Sequence, residues 1–426
     1  MSAPDRDVVV VLPGLGPGGS ERVATILLNA WHKARRRAML VTLSNDEPDA
    51  YRLEAGVERV RLPDVLRAGR SPSAARVGLA VHRSLPRLAA RALDLVGLDL
   101  RTIVARTVGP RLEPERYLAV LYPELLREIQ GLRQLLQKAR PRVVIGFVGP
   151  TNVTVILAAR PLGLPVVVSE RNDPALQDLP PPWQHIRERI YRWATLVTAN
   201  SRGALDSMKG FVPASRLAYV PNPILLRDAA PDPVPRDLTI LAAGRLVPQK
   251  GLDVLLRAFA DRARDMAGWR VEILGDGPLR PELARLAETL GVRERVVFHG
   301  HVDDPFSHYA RAAMFVLPSR YEGMPNVLLE AMASGLPAVV SDASPGPLEE
   351  VTHGENGLVV PAGDVAALAG AMTRLAGDAE LRRTMGEVSR TRAAEHRLEK
   401  TLAVWDAVIA RACRDHAEAS AGAPPG

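Results

Sequence analysis

A single cysteine, Cys413, in 426 residues excludes an internal disulfide and any metal centre built from thiolates, and it suits a reducing compartment. Aromatic residues are scarce at 4%, and no recognisable nucleic-acid-binding motif occurs, so nucleic acid is not the expected partner of the net charge of +7. No uncharged apolar run approaches the roughly 18 residues that span a bilayer, and Met1 to Asp7 lacks the basic stretch and apolar core of a signal peptide. The expectation is a cytoplasmic protein. The only Asp-x-Asp, Asp5-Arg6-Asp7, precedes the first strand-like run, a poor place for a catalytic cation, so neither a metal nor another cofactor is expected in the chemistry.

What is present is a soluble globular composition, 47% hydrophobic and 24% charged, in a chain long enough for two domains with separate cores. The charge is uneven. Residues 1–230 carry 33 Lys/Arg against 21 Asp/Glu, or +12, which leaves 22 against 27, or −5, for the rest. A membrane surface or an anionic substrate fits that basic half.

Short apolar runs alternate with helical patterns throughout, predicting an α/β protein with two parallel sheets. Strands are expected at Val8–Leu12, Ala38–Leu43, Arg142–Phe147, Pro165–Ser169 and Leu196–Ala199, then at Leu238–Ala243, Arg270–Leu274, Arg295–Phe298, Ala312–Leu317, Pro337–Val340 and Gly357–Val360. The Pro-rich "PNPILLRDAAPDPVP" separates the two series as a linker, placed at 223–236. The first domain is then 1–222, with an apparent insertion at about 66–116, and the second is 237–412. The last helix is expected to pack back on the first domain, and 413–426 to be a disordered tail.

In open α/β sheets ligands sit beyond the carboxyl ends of the strands. Four stretches of the second half fall there: "AAGRLVPQKG" with Arg245 and Lys250, "LGDGP", "HGHVDD" with His301 and Val302, and "SRYEGMPNVLLEAMASG". In the last, Glu322 lies in a loop, Glu330 inside a short helix, and Gly323, Met324 and Asn326 offer backbone N–H groups at the helix start, where the macrodipole favours an anion. A carboxylate aimed at a phosphate would repel it. Both glutamates therefore read as acceptors for hydroxyls flanking an anion, as in a sugar on each side of a diphosphate, with Arg245 and Lys250 as its cations.

In the first half, Gly14, Gly16 and Gly19 of "LPGLGPGGSERVA" match G-x-G-x-x-G before a helix with Ser20 as its expected cap, and Asp46 and Glu47 follow the next strand. Pro17 interrupts that loop and the acids come late for a dinucleotide site, so a loop that lets a substrate approach the backbone is equally available. "VVVSERNDP" ends another strand with Glu170, Arg171 and Asn172, acceptor-side candidates, or else a capping turn before Pro174.

With "GPGGSER", "GRLVPQKG", "LGDGP", "SRYEGMPNVLLEAMASGLPAVVSD" and "HGENGLVVPAGD" in order, the chain resembles the retaining glycosyltransferases of the large bacterial family 4 type, which include lipopolysaccharide and capsule transferases. The resemblance implies a GT-B fold, two Rossmann-like domains facing a cleft. It also implies a catalytic set of Glu322, Arg245 and Lys250. Glu322 would meet the donor sugar, Glu330 the nucleotide ribose, the N–H groups of Gly323, Met324 and Asn326 the diphosphate, His301 and Val302 the base, and Gly16, Gly18 and Gly19 the donor from the first domain. Many relatives carry a histidine near the reacting sugar where this chain has Ser169-Glu170-Arg171, so a role for that histidine does not transfer. "SERNDP" and "SPGPLEEV" resemble the subgroup that uses UDP-linked galactose or N-acetylhexosamine.

The expected activity is transfer, with retention, of a hexose or N-acetylhexosamine from a nucleotide-diphosphate sugar, UDP favoured, to a hydroxyl of a lipid-linked or cell-surface glycan. A dinucleotide-dependent oxidoreductase and a catalytically silent sugar-nucleotide-binding module are the rival readings. Residues 66–116 hold ten arginines against four acids, with Arg76, Arg83, Arg87 and Arg91 at helical spacing beside Val77, Val81, Leu85 and Leu88. Because acceptors of the resembled family are often lipid-linked, this segment is expected to hold the protein peripherally on the inner face of an anionic membrane, unless its apolar face packs on its own domain.

Overall fold

The computed structural model describes residues 5–44, 48–68, 123–177, 181–225, 236–302 and 304–421. Two parallel sheets organise them. The first runs through β1 (Arg6–Leu12), β2 (Ala38–Thr42), β3 (Glu58–Arg61), β4 (Pro141–Phe147), β5 (Val166–Glu170), β6 (Leu196–Ala199) and β7 (Leu217–Tyr219), in the order β3-β2-β1-β4-β5-β6-β7. The second runs through β8 (Thr239–Ala243), β9 (Arg270–Leu274), β10 (Val296–Gly300), β11 (Met314–Leu317), β12 (Ala338–Ser341) and β13 (Gly357–Val360), in the order β10-β9-β8-β11-β12-β13.

Strands such as "VVVVL" and "TILAA" are buried on both faces because helices cover both sides, so they are continuously apolar rather than alternating. In each sheet the order turns back at a central pair, β1 with β4 and β8 with β11, and there the strand ends open a crevice. All eleven expected strands are present. Two more, β3 and β7, were illegible because "ERVR" has no apolar run and "LAY" is three residues long.

Residues 413–421, expected in a disordered tail, instead complete the helix Leu398–Ala421. The small, polar composition that suggested disorder also suits an alanine-rich helix end, and the helix is anchored upstream. Trp405 is fully buried, its ring centroid 6.4 Å from Trp31 and 5.8 Å from Phe147, and Val408 and Ala412 share the same core cluster with β1 and β4. The chain thus crosses from the second domain to finish the core of the first. Ser20 lies one residue inside the Gly19–Lys33 helix, whose N-cap is Gly18. Asp46, Glu47, nearly all of the basic segment 66–116 and most of the linker 223–236 lie outside the described residues.

Candidate active site in the cleft

Glu322 follows β11 in the loop Pro318–Pro325, and it is not the solvated acid that a loop position suggests: it is 5% exposed. Its Oε1 accepts from Lys250 Nζ at 2.5 Å and from the Ser319 hydroxyl at 2.7 Å, while its backbone N–H donates to Ser344 Oγ at 2.7 Å. Lys250 ends a tight turn, Pro248–Lys250, closed by Gly251 at φ 61°. A Cβ at Gly251 would also come 2.0 Å from the Pro318 carbonyl oxygen, so only glycine lets the lysine loop close on the glutamate loop.

The next turn, Gly323 to Asn326, is pressed against the first domain. Asn222 donates to the Met324 carbonyl at 2.7 Å and to Asn326 Oδ1 at 2.6 Å, and Asn326 Nδ2 donates to the Gly19 carbonyl at 3.1 Å. A Cβ on Gly323 would approach the Arg171 carbonyl to 2.3 Å. One turn into the helix Asn326–Ala333, Glu330 is 3% exposed and accepts on Oε1 from Arg22 of the first domain at 2.8 Å and on Oε2 from the Tyr309 hydroxyl at 3.2 Å. Burial pushes the Glu330 carboxyl above the usual carboxylate range, and Arg22 and Tyr309 pull it back in part. A third tie comes from Glu349, which accepts the backbone N–H groups of Arg202 and Gly203, each at 3.0 Å, at the start of the first-domain helix Arg202–Met208.

The structure therefore brings Glu322, Lys250, Gly323, Met324, Asn326, Glu330 and the loop of Gly16, Gly18 and Gly19 to one cleft. Arg245 stands exposed after β8. His301 is exposed beyond β10, and Val302 is half-buried against the cluster that holds Tyr309 and Met324.

Among the acceptor-side candidates the structure separates three fates. Glu170, expected to face the crevice, is 1% exposed and turned into its own domain, where the Tyr191 hydroxyl donates to it and burial raises its pKa. The last residue of β5 alternates into the helix layer, not toward the strand-end opening. Arg171 is buried over the Phe147 ring at 5.5 Å, donates to Asn222 Oδ1 and Ser169 Oγ, and has its pKa lowered by burial to about 10. It props up Asn222, which in turn grips the Met324 turn. Asn172 is half-buried, and Asp173 accepts from the Ala175 N–H at 3.0 Å in a turn at Pro174 that caps no helix, the next one starting at Pro181.

Sequence reasoning missed Arg22, Asn222, Tyr309, Ser319 and Ser344. Arg22 had a signal, a cation one turn into a helix that follows a glycine loop. Ser319 sits three residues before Glu322, but a serine in a loop carries no mark of its own, and Asn222, Tyr309 and Ser344 meet partners 102, 21 and 22 residues away. It also missed Val148, a β-branched residue at φ 74° between β4 and the helix Gly149–Ala159. Such strain is sustained at the switch point by its N–H bond to Ser169 O at 3.2 Å.

Known proteins match this arrangement. The family "Glycosyl transferases group 1" matches residues 237–378, and "Glycosyl transferase 4-like domain" matches 94–223. Among curated relatives, an exopolysaccharide phosphotransferase of Streptomyces coelicolor is 43% identical over 175 residues, covering 41% of this chain and 18% of that protein. A GDP-mannose-dependent α-(1-6)-phosphatidylinositol monomannoside mannosyltransferase of Mycobacterium tuberculosis is 33% identical over 216 residues, covering 46% of this chain and 55% of its own. The matched region is thus less than two thirds of the length of either relative. The solved structure of Anabaena HepE in complex with UDP superposes with a TM-score of 0.66 at 17% identity, covering 98% of this chain and all of that one. It shows the fold to be GT-B. With one family matching each of its halves in order around the cleft, the chain belongs to the group 1, family 4-type glycosyltransferases.

Proposed function

We propose that the protein is a retaining glycosyltransferase that moves a hexose or N-acetylhexosamine from a nucleotide-diphosphate sugar to an acceptor hydroxyl of a lipid-linked or cell-surface glycan. The observation that carries this reading is the pair of buried carboxylates, Glu322 and Glu330, flanking the start of one helix at the strand ends of the second sheet, each with a cation at hand. Buried acids are costly unless paired, and two of them around an anion-favouring helix start match a ligand with hydroxyls on both sides of a diphosphate.

The diphosphate sits at the N–H groups of Gly323, Met324 and Asn326, with Lys250 and Arg245 as counter-charges. Glu322 accepts from sugar hydroxyls and Glu330 from the ribose, while Arg22, released from Glu330 by the incoming ribose, adds a cation from the first domain. His301 and Val302 border the base. Catalysis then consists of holding donor and acceptor in line on one face of the sugar and stabilising the departing diphosphate, whose oxygen takes the acceptor proton. The chain's own cations suffice for this, so activity is expected to survive EDTA. UDP is the favoured nucleotide: the SERNDP-type motifs support it, as does a structural neighbour solved with UDP, whereas the mycobacterial relative is named for GDP-mannose. Among the described residues no helix is long and apolar enough to cross a membrane, and the arginines of 66–116 supply the proposed peripheral contact.

A thermal-shift screen against UDP-galactose, UDP-glucose, UDP-N-acetylhexosamines, GDP-mannose and NADH tests the reading. Stabilisation by one nucleotide sugar supports it, because a ligand of the native state raises apparent stability by mass action. Stabilisation by NADH alone would replace it with the oxidoreductase reading. Binding without turnover of the sugar would leave a silent module.

A further inference from the structure

The second sheet carries a second cluster of coordinating side chains, on its β10 edge and outside the carboxylate pair described above. Glu272 of β9, His299 of β10 and His308 of the helix Phe306–Arg311 each turn one ligand atom inward, and these three atoms lie within 4.8 Å of one another. His299 Nε2 is 3.0 Å and His308 Nδ1 3.1 Å from the same oxygen, Glu272 Oε2, and the two rings meet edge to face at 4.5 Å. The other carboxylate oxygen, Oε1, is held by Arg270 Nε at 2.9 Å, and Arg270 is in turn held by Asp237 at 3.2 Å. The carboxylate is therefore oriented from behind, and Oε2 is left to the imidazoles.

We propose that Glu272, His299 and His308 form a site for a zinc-class divalent ion. Tetrahedral zinc with ligands at about 2.0–2.1 Å sets neighbouring ligand atoms roughly 3.3 Å apart, close to the 3.0 and 3.1 Å that already separate the two imidazole nitrogens from Glu272 Oε2. Two imidazoles and one carboxylate select zinc, cobalt or nickel over magnesium, which takes an all-oxygen shell. The side chains are 28%, 24% and 12% exposed for His299, His308 and Glu272, so the ion is reachable and its fourth position is open to water.

Bound there, the ion fastens the helix Phe306–Arg311 to β9 and β10. The same helix carries Tyr309, whose hydroxyl meets Glu330, so the site is a brace for the base-side wall of the cleft rather than part of the transfer chemistry. The proposal stands whether or not the transferase reading does, because its test reads metal binding.

Full-length protein with any affinity tag removed, stripped with EDTA and dialysed, is titrated with Co²⁺ in the visible region and with Zn²⁺ by calorimetry. The expected result is one equivalent bound, a cobalt spectrum of tetrahedral or five-coordinate type, and a raised melting temperature with Zn²⁺ and not with Mg²⁺. His299→Ala and His308→Ala should each weaken binding by at least about tenfold, a loss of the size that perturbing a metal shell produces. Glu272→Gln, nearly isosteric, should do the same with the circular dichroism of the folded protein. His353→Ala, at an exposed loop histidine near β13, should bind as the parent does. No saturable binding by the parent, or equal binding by the His299, His308 and Glu272 variants, would overturn the proposal.

Discussion

Glu170 and Glu330 are both nearly inaccessible to solvent, both have pKa values raised by burial, and both accept from a tyrosine, yet their remaining surroundings differ. All the hydrogen-bond partners of Glu170 come from its own domain: Tyr191 donates to it, and Asn152 in turn donates to the Tyr191 hydroxyl at 3.0 Å. Glu330 has one partner from its own domain, Tyr309, and one from the other, Arg22. A buried acid whose countercharge arrives across a cleft can exchange that partner for a ligand when the cleft opens. One enclosed by its own core cannot. Burial and pKa direction do not separate these two carboxylates; the origin of the partner does.

The comparison breaks most sharply at Glu322, the other carboxylate of the cleft. Glu322→Gln should lower transfer by about 100-fold or more, the size seen when one stabilising contact at a reacting centre is removed. It should also lower the melting temperature, because Lys250 and Ser319 lose their anionic acceptor. Turnover within a few-fold of the parent, measured by release of nucleoside diphosphate, would remove Glu322 from the site. Gly323→Ala tests whether the closed contact between the domains is needed. A methyl 2.3 Å from the Arg171 carbonyl must push the two domains apart, so we expect about 1–3 kcal/mol of destabilisation and an expanded radius in small-angle scattering. A parent-like scattering profile would mean that the contact is dispensable.

Arg22→Ala takes the cross-domain partner from Glu330 and should weaken donor binding roughly tenfold, from the loss of a charge-assisted contact worth about 1.5 kcal/mol, with Arg22→Lys restoring part of it. Equal donor affinity in both variants would place Arg22 outside the site. The raised pKa of Glu330 adds a pH signature: the ionised form proposed to accept ribose hydroxyls is lost on acidification earlier than at an exposed glutamate, so donor affinity should fall in mildly acid buffer and be flat there in Glu330→Gln. For stability the sign is opposite. The folded state holds the proton more tightly than the unfolded chain, so this group's contribution to stability declines as pH rises from the unfolded to the folded pKa. The smallest effect is expected at Glu170→Gln, which should change the melting temperature and leave donor affinity as it was; a tenfold loss of affinity there would return Glu170 to the cleft.

The sequence by itself determined the two-sheet architecture, because strands buried on both faces must be runs of Val, Ile, Leu and Ala, and those runs are local. It also located Glu322, Lys250 and Glu330, whose loops and helix follow strands that were themselves legible. It could not say which acids are enclosed. Glu170 and Glu322 each follow an apolar strand and look alike in one dimension, and only the packing of Tyr191 on one and of Lys250, Ser319 and Ser344 on the other separates them. Nor could it join Arg22 to Glu330, Asn222 to Met324, Glu349 to Arg202 or Trp405 to Trp31. Strand and turn patterns are written in neighbours along the chain, whereas these pairs are fixed by how two finished domains and a returning helix meet, a contact decided by complementary surfaces 102 residues or more apart.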